Sequence, residues 1–468
     1  LPIHFADPTL PAVERPELGF DFRYLYSRDF FWASGNDPER IAFLGRLMGA
    51  LCVAGLIVAV FVFTRNRFGD GAGILAAGMT AFTPDVLAHG GVAYNDLPLA
   101  LGYLLAVWAI DVAVRKPGLA RGALVGVCFA LAMSIKFSAI VIPAVALVLI
   151  LAQAISDWNW RWLGRVGLAI VAASIVTYAV LVVVYRGDFL LEEMRYGIDY
   201  TFRHVSRGHG APGFLVGDKA RQGWWYFYPL AFFYKTPAAF HVLLVAGLIG
   251  LSRTRFESVR ALAASPLRVP VLAGAIFLAA LLRSNLVIGF RYALPALPLL
   301  WVIAAVGVAR LWPAVGRVPR FAIAGLTVWM ATATLSAYPH FLAYTSEWGG
   351  GRDHAYELLV DSSTDWGQGL LELRKWMNDQ SVDRVYLSYF GSAVPSGYGI
   401  DYEPLPSFIP LPRVGPPPPT PPRYVVISAT NLQGVYLGSD PFARFRQIEP
   451  DTVLAQTLLV YRIDESAD

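Results

Sequence analysis

The sequence predicts a mainly α, polytopic membrane protein of about ten spans, followed by a small C-terminal α/β extracytoplasmic domain. Three observations predict it. The 468 residues are 56% hydrophobic but only 15% charged, with a mean hydropathy of +0.50, whereas soluble domains carry roughly 25% charged residues. Apolar runs close to the length of a bilayer-crossing helix, about 20 residues, recur between residues 42 and 338. Beyond Tyr338 the composition shifts to charged, Pro-rich and alternating segments, as in a soluble fold. The same balance excludes disorder over most of the length. The formal charge of +4 is small, so its distribution carries the information.

The apolar runs fall near 42–64, 71–88, 97–114, 119–135, 137–153, 165–184, 229–251, 269–288, 292–310 and 321–338. The pairs either side of Asp96 and of Lys136 are closely spaced and read as broken or tilted. Basic residues collect in alternate connections: Arg65 and Arg67; Arg115, Lys116 and Arg121; Arg161 and Arg165; Arg253, Arg255, Arg260 and Arg268; Arg310, Arg317 and Arg320. By the positive-inside rule these are cytoplasmic. The remaining connections, the first forty residues and everything after 338 then face outward. "DWNWRW" at 157–162 and "GWWYFY" at 223–228 supply aromatic residues suited to the two interfaces. The resulting organisation is an outer loop over 1–40, a membrane domain over 41–338 with an outer loop at 185–228, and a terminal domain over 339–468. Cys52 and Cys128 sit inside apolar runs and read as packing residues. The chain opens on Leu with no signal peptide, and reads as a fragment of a longer one.

In the terminal region, "WGQGLLELRKWMN" places Trp366, Leu370, Leu373 and Met377 on one helical face. "RVYLSYF", "RYVVISA" and "TLLVYRI" read as strands, and "PLPRVGPPPPTPPR" as a polyproline spacer.

The polar residues of the outer side are the candidate site. In "AHGGVAYNDLPLA", Asp96 stands at the mouth of a span. One reading is helix capping, with Asn95 or Asp96 ahead of Pro98. The other is function, the default for an ionisable group at membrane depth. His89, Tyr94 and Asn95 accompany it, and Asp85 lies deeper. One His with one Asp is a weak metal signal. Lys136, in "SIKFS", either snorkels to headgroups or meets a lipid phosphate. The outer loop carries Arg203, His204, Arg207, His209, Lys219, Arg221 and Lys235. This basic character asks for an anionic partner: ordinary membrane lipid, or a phosphorylated lipid substrate. Arg283 and Arg291 add guanidiniums suited to phosphate oxygens. "LVDSSTDWGQGL" adds Asp361, Asp365, Trp366 and Gln368. There, Ser363, Thr364 or Asp365 caps the next helix, and Asp365 with Gln368 has capping-box spacing. No nucleophile elbow, phosphate-loop motif or nucleic-acid module occurs, so no nucleic-acid partner is expected.

Taken in order, "RLMGALCVAGLIVAVFVFTRNRFGDGAGILAAGMTAFTPDVLAHGGVAYNDLPLA", "GVCFALAMSIKFSAIVIP", "GWWYFYPLAFFYKTP", "FRYALPALPLL", "YPHFLAYTSEWGGG" and "DSSTDWGQGLLELRKW" resemble the multi-span GT-C glycosyltransferases. They are most similar to bacterial relatives of the protein O-mannosyltransferases, glycosyltransferase family 39. The resemblance covers nearly the whole chain. It implies a GT-C-like fold in the bacterial inner (plasma) membrane and transfer of a hexosyl or pentosyl group from a polyprenyl-phosphate sugar. The acceptor hydroxyl, on the outer face, would belong to a protein, lipid or glycan, and the anomeric carbon would be inverted. Asp96, the catalytic candidate, would match the family's second acidic position, which supports substrate placement or metal contact, with a divalent cation left open as cofactor. Lys136, Arg291 and the 203–235 loop would hold the donor phosphate and lipid. The terminal domain would cover the cavity. The sequence departs from the family in its first outer loop. Asp7, Glu14, Glu17, Asp21 and Asp29 do not stand in the expected acidic motif, and the first span and usual base are read as missing.

Two other classes compete. A transporter or flippase predicts internal repeats and polar groups at mid-membrane depth; the sequence shows no repeat, and its ionisable residues cluster at one face. An outward-facing sensor leaves the basic loop unexplained.

Overall fold

The computed structural model describes residues 2–11, 22–253, 257–413, 415–416 and 420–463; Glu14, Glu17, Asp21 and Arg255 lie outside them. Helix α1 is Phe22–Trp32, α2 Pro38–Phe68, α3 Asp70–Ala81, α4 Pro84–Gly90, α5 Asp96–Arg115, α6 Leu119–Ile135, α7 Ile142–Ser156 and α8 Trp160–Val184. Next come α9 Glu192–Arg207, α10 Phe227–Lys235, α11 Ala238–Ser252, α12 Val259–Ala264, α13 Arg268–Leu282, α14 Leu297–Leu311 and α15 Arg317–Leu335. The chain is an integral membrane protein built mainly of these helices.

Each of the ten apolar runs is helical over most of its length, and the runs differ in how much of a membrane each can cross. Among the described residues six helical segments are long and apolar enough to cross a membrane, or eight if two bent pairs each count as one. The bent pairs are α3 with α4, at 60°, and α10 with α11, at 113°. The runs at 119–135 and 269–288 give α6 and α13, shorter apolar helices. At 1.5 Å per residue, a helix of α13's length reaches roughly 22 Å, less than the hydrocarbon core.

Small residues let these helices approach closely, as membrane packing favours. A Cβ on Gly307 of α14 would stand 1.9 Å from the Gly247 carbonyl oxygen of α11. Polar ties fix the bends: the Trp301 indole of α14 donates to Thr83 at the α3–α4 junction at 2.9 Å. At the bundle end bearing the basic connections, buried Asp111 accepts from Arg67 at 2.5 Å and Arg115 at 2.8 Å. Arg268 there donates to Gln153 of α7 at 2.6 Å.

The 185–228 loop forms α9 and a small antiparallel hairpin, β1 Gly213–Leu215 with β2 Asp218–Ala220. After α15 come the short α16, Ala355–Leu358, and α17, Leu370–Asp379. The sheet strands are β3 Arg384–Ser388, β4 Asp401–Pro404, β5 Tyr424–Ser428, β6 Thr452–Leu454 and β7 Leu458–Arg462, in the order β4-β3-β5-β7-β6. Strand β3 pairs parallel with both neighbours, while β7 runs antiparallel to β5 and β6. The three predicted strands are β3, β5 and β7. Leu370, Leu373 and Met377 pack under this sheet from α17. Trp366 does not join their face. The helix begins at Leu370, Gly369 occupies the cap position and no side chain caps it, so the capping expected of Ser363, Thr364 or Asp365 does not occur.

Candidate functional site

Two interruptions in the helices bring the site's charges together. Helix α5 starts at Asp96 with Asn95 before it, yet no side chain caps this end. Asn95 donates instead to the Ile135 carbonyl at 3.2 Å. Lys136 sits in extended backbone between α6 and the 3-10 turn Phe137–Val141. Its ammonium donates to the Asp96 carboxylate, so it does not snorkel. The third charge comes from the turn Phe290–Ala293, ahead of α14. Arg291 Nη1 lies 3.5 Å from Asp96 Oδ2. Asp96 and Arg291 are buried, and the Lys136 side chain is 18% exposed.

Aromatic rings enclose this cluster. The Lys136 ammonium lies 4.3 Å from the Tyr292 ring centre. The Arg291 guanidinium lies 4.6 Å from Tyr94, 5.1 Å from Tyr292 and 4.8 Å from Trp366. Trp366 also meets His89 edge-on at 5.5 Å and Tyr94 at 5.4 Å. One carboxylate thus faces two cations in a buried place. Asp96 Oδ2, Arg291 Nε and Arg291 Nη1 make no hydrogen bond with the protein. Buried polar atoms are normally paired, at a cost of about 1–3 kcal/mol each when they are not. Unpaired guanidinium donors with net positive charge around them fit an anion.

Trp366 is placed by its own loop. Asp361–Ser363 is a 3-10 turn in which Asp361 has φ 53°. The Asp361 carboxylate accepts from Ser362 N at 2.6 Å and from the Tyr436 hydroxyl. Asp365, fully buried, accepts from the backbone N–H of Gly367 and of Thr430, both at 3.1 Å. Burial pushes its pKa up to about 7. Gln368 accepts from Trp366 N and donates to the Thr364 carbonyl, both at 2.8 Å. Ser363 Oγ accepts from Phe290 N at 3.0 Å, one residue from Arg291. A Cβ on Gly289 would meet Ser362 Cβ at 2.6 Å, so only glycine admits this approach.

Residues 40–185 match the family model for dolichyl-phosphate-mannose-protein mannosyltransferases. The matched segment contains Asp85, His89, Asp96 and Lys136; Arg291 and Trp366 lie beyond it. No curated protein sequence matches the chain. Among solved structures, ArnT from Cupriavidus metallidurans bound to undecaprenyl phosphate is similar at 15% identity with a TM-score of 0.43, covering 69% of this chain and 60% of ArnT. The archaeal oligosaccharyltransferase AglB from Archaeoglobus fulgidus, in complex with an inhibitory peptide and a dolichol-phosphate, is similar at 14% identity with a TM-score of 0.38. It covers 77% of this chain and 50% of that one. The chain therefore spans between half and three fifths of these structures' lengths.

The remaining predicted residues divide. His89, Tyr94, Asn95, Lys136 and Arg291 lie around Asp96, joined by Trp366. Arg203 pairs with Asp199 at 3.0 Å on α9, and Arg203, Arg207 and Arg221 are exposed rather than in the cluster. His209 stands 3.1 Å from His204 and 6.1 Å, ring to ring, from Tyr436; burial lowers the pKa of both histidines. Lys235 is buried elsewhere: it donates to the Leu342 and Tyr344 carbonyls at 2.6 and 3.0 Å and lies 3.9 Å from Asp85. The 113° bend between α10 and α11 follows directly after it. Sequence reasoning missed Tyr292 and Tyr436. Tyr292 had a signal, standing beside Arg291 in "FRYALP"; Tyr436 had none. Among the described residues no three His, Cys, Asp or Glu side chains group as a metal site would require. Asp96, flanked by two cations, is ill suited to a divalent cation.

Proposed function

We propose that the protein is a glycosyltransferase that moves a sugar from a polyprenyl-phosphate donor to an acceptor hydroxyl, with Lys136 and Arg291 receiving the donor phosphate. One observation carries the reading: a buried arginine and a half-buried lysine share a single carboxylate, and guanidinium donors remain free. The family match over 40–185 supports the transferase over the transporter. The basic connections support a cytoplasmic end opposite the cluster, so the site and the 339–468 domain face outward from a bacterial plasma membrane. Nucleotide sugars are confined to the cytoplasm, and a lipid carrier answers that. The sugar is hexosyl or pentosyl, and the acceptor a protein, lipid or glycan.

The chemistry follows from charge. Cleaving the bond between the anomeric carbon and the phosphate oxygen leaves negative charge on the phosphate. Preorganised cations stabilise that charge most effectively where water is excluded. Both carboxylate oxygens of Asp96 face these cations, Oδ1 toward Lys136 and Oδ2 toward Arg291. Asp96 acts here as the counter-charge between Lys136 and Arg291, with the acceptor hydroxyl proton passing to another base. The test is sugar transfer in membranes from a labelled polyprenyl-phosphate sugar, comparing the protein with Arg291→Gln. The reading expects donor consumption that collapses in the variant. Label crossing the membrane on an intact donor would instead establish a transporter.

A further inference from the structure

We infer that Trp366 is a positioning residue for Arg291, so that the anion site at the end of the bundle is complete only with the C-terminal region docked on it. The identity of the anion, a lipid phosphate, rests on the function proposed above; the positioning role rests on geometry.

Two of the three rings around the Arg291 guanidinium, Tyr94 and Tyr292, belong to the bundle. The third, Trp366 at 4.8 Å, comes from the loop ahead of α17. Asp96, at 3.5 Å, is a loose partner, and Nε and Nη1 have no hydrogen bond. Aromatic faces therefore do most of the orienting. They attract a guanidinium while leaving its N–H edges free to donate. A hydrogen-bonding side chain in place of Trp366 would instead compete for the donors an anion needs.

The loop is built to hold that ring. Gln368 clasps the Trp366 backbone, and Asp365 ties the loop to Thr430 beyond β5. Ser363 accepts from Phe290 N, and Ser362 closes on Gly289. Both contacts reach the Arg291 turn itself. The spacing of "DSSTDWGQG" thus has a local account that helix capping does not give: Ser362 and Ser363 grip the turn, Asp365 and Gln368 hold the backbone, and Trp366 faces the guanidinium. A merely space-filling Trp366 would be replaceable by any apolar side chain. An orienting one requires an aromatic face.

The experiment compares the full chain in detergent with Trp366→Phe and Trp366→Leu by two readouts. The first is affinity for polyprenyl phosphate, by thermal stabilisation. Leucine is expected to weaken it on the order of tenfold, and phenylalanine to stay within about threefold. The second needs no ligand: the rate at which phenylglyoxal modifies Arg291, followed by peptide mass spectrometry. That rate is expected to rise in Trp366→Leu and to hold in Trp366→Phe. Gln368→Ala, which loosens the loop without removing the ring, is expected to fall between them and serves if Trp366→Leu does not fold. Equal modification rates in all forms, or phenylalanine behaving as badly as leucine, would overturn the inference. Failure of the parent protein to bind polyprenyl phosphate would instead count against the proposed function, with the modification rates still deciding the role of Trp366.

Discussion

Asp96 and Asp85 show how one residue type takes different tasks from its surroundings. Asp96 lies where two cations converge, and removing its charge leaves Lys136 and Arg291 to repel each other in a buried place. Asp96→Asn is expected to lower sugar transfer by about 10²-fold or more, with a smaller change in folding; full activity would reduce Asp96 to a structural role. Asp85 and Lys235 are both buried, and the lysine already binds two carbonyls. Breaking such a pair from one side strands a charge and costs about 3–5 kcal/mol. Asp85→Ala should therefore depress the melting temperature strongly, and adding Lys235→Met should recover part of the loss. Additive losses would show the two residues to be independent. Asp365 supplies a pH signature. Its pKa rises from 3.8 to about 7 in the fold, so the folded chain holds this proton more tightly than the unfolded one. Its contribution to stability falls as pH climbs from about 4 to 7 and is level beyond. Thermal melts across that range should show a shallower decline for Asp365→Asn; an unchanged slope would refute the assignment.

At the scale of elements, the bundle depends on glycines where α11 and α14 cross. The separation allowed by Gly247 and Gly307 leaves no room for a side chain. Gly307→Leu should force the helices apart and sharply lower the yield of folded protein, read by size-exclusion profile after extraction. A leucine at Gly325 of α15, whose Cβ would meet nothing within 4 Å, is the matched control, and equal yields would contradict the packing account. The helices themselves were readable because apolar runs report length and burial directly. Both breaks flanking the site, at Asp96 and Lys136, were readable as polar interruptions of such runs. Trp366 was misplaced for a local reason. Its spacing to Leu370 and Leu373 is helical, but Gly367 takes φ 74° and the helix starts only at Leu370, so the indole leaves that face for the bundle. Charge density misled in the 185–228 loop as well. Arg203, Arg207 and Arg221 follow one another in sequence, but α9 and the β1–β2 hairpin turn them to the surface.

For the whole molecule, the site is assembled from segments distant in sequence. Asp96 and Lys136 are 40 residues apart, Arg291 follows much later, and Trp366 comes from beyond the last apolar helix. Periodicity reports on neighbours within one element, so it could nominate these residues but not their convergence or the choice among the many cations. The ion pair of Asp85 with Lys235, each within its own bent helix pair, was hidden for the same reason. The central claim is that the cations at Asp96, rather than those of the 185–228 loop, receive the lipid phosphate. A cryo-EM structure of the protein with bound polyprenyl phosphate tests it most directly. The account predicts phosphate oxygens within hydrogen-bond distance of Arg291 and Lys136, beneath Trp366. A phosphate held by Arg203, Arg207 or Arg221, with Arg291 still free, would contradict it.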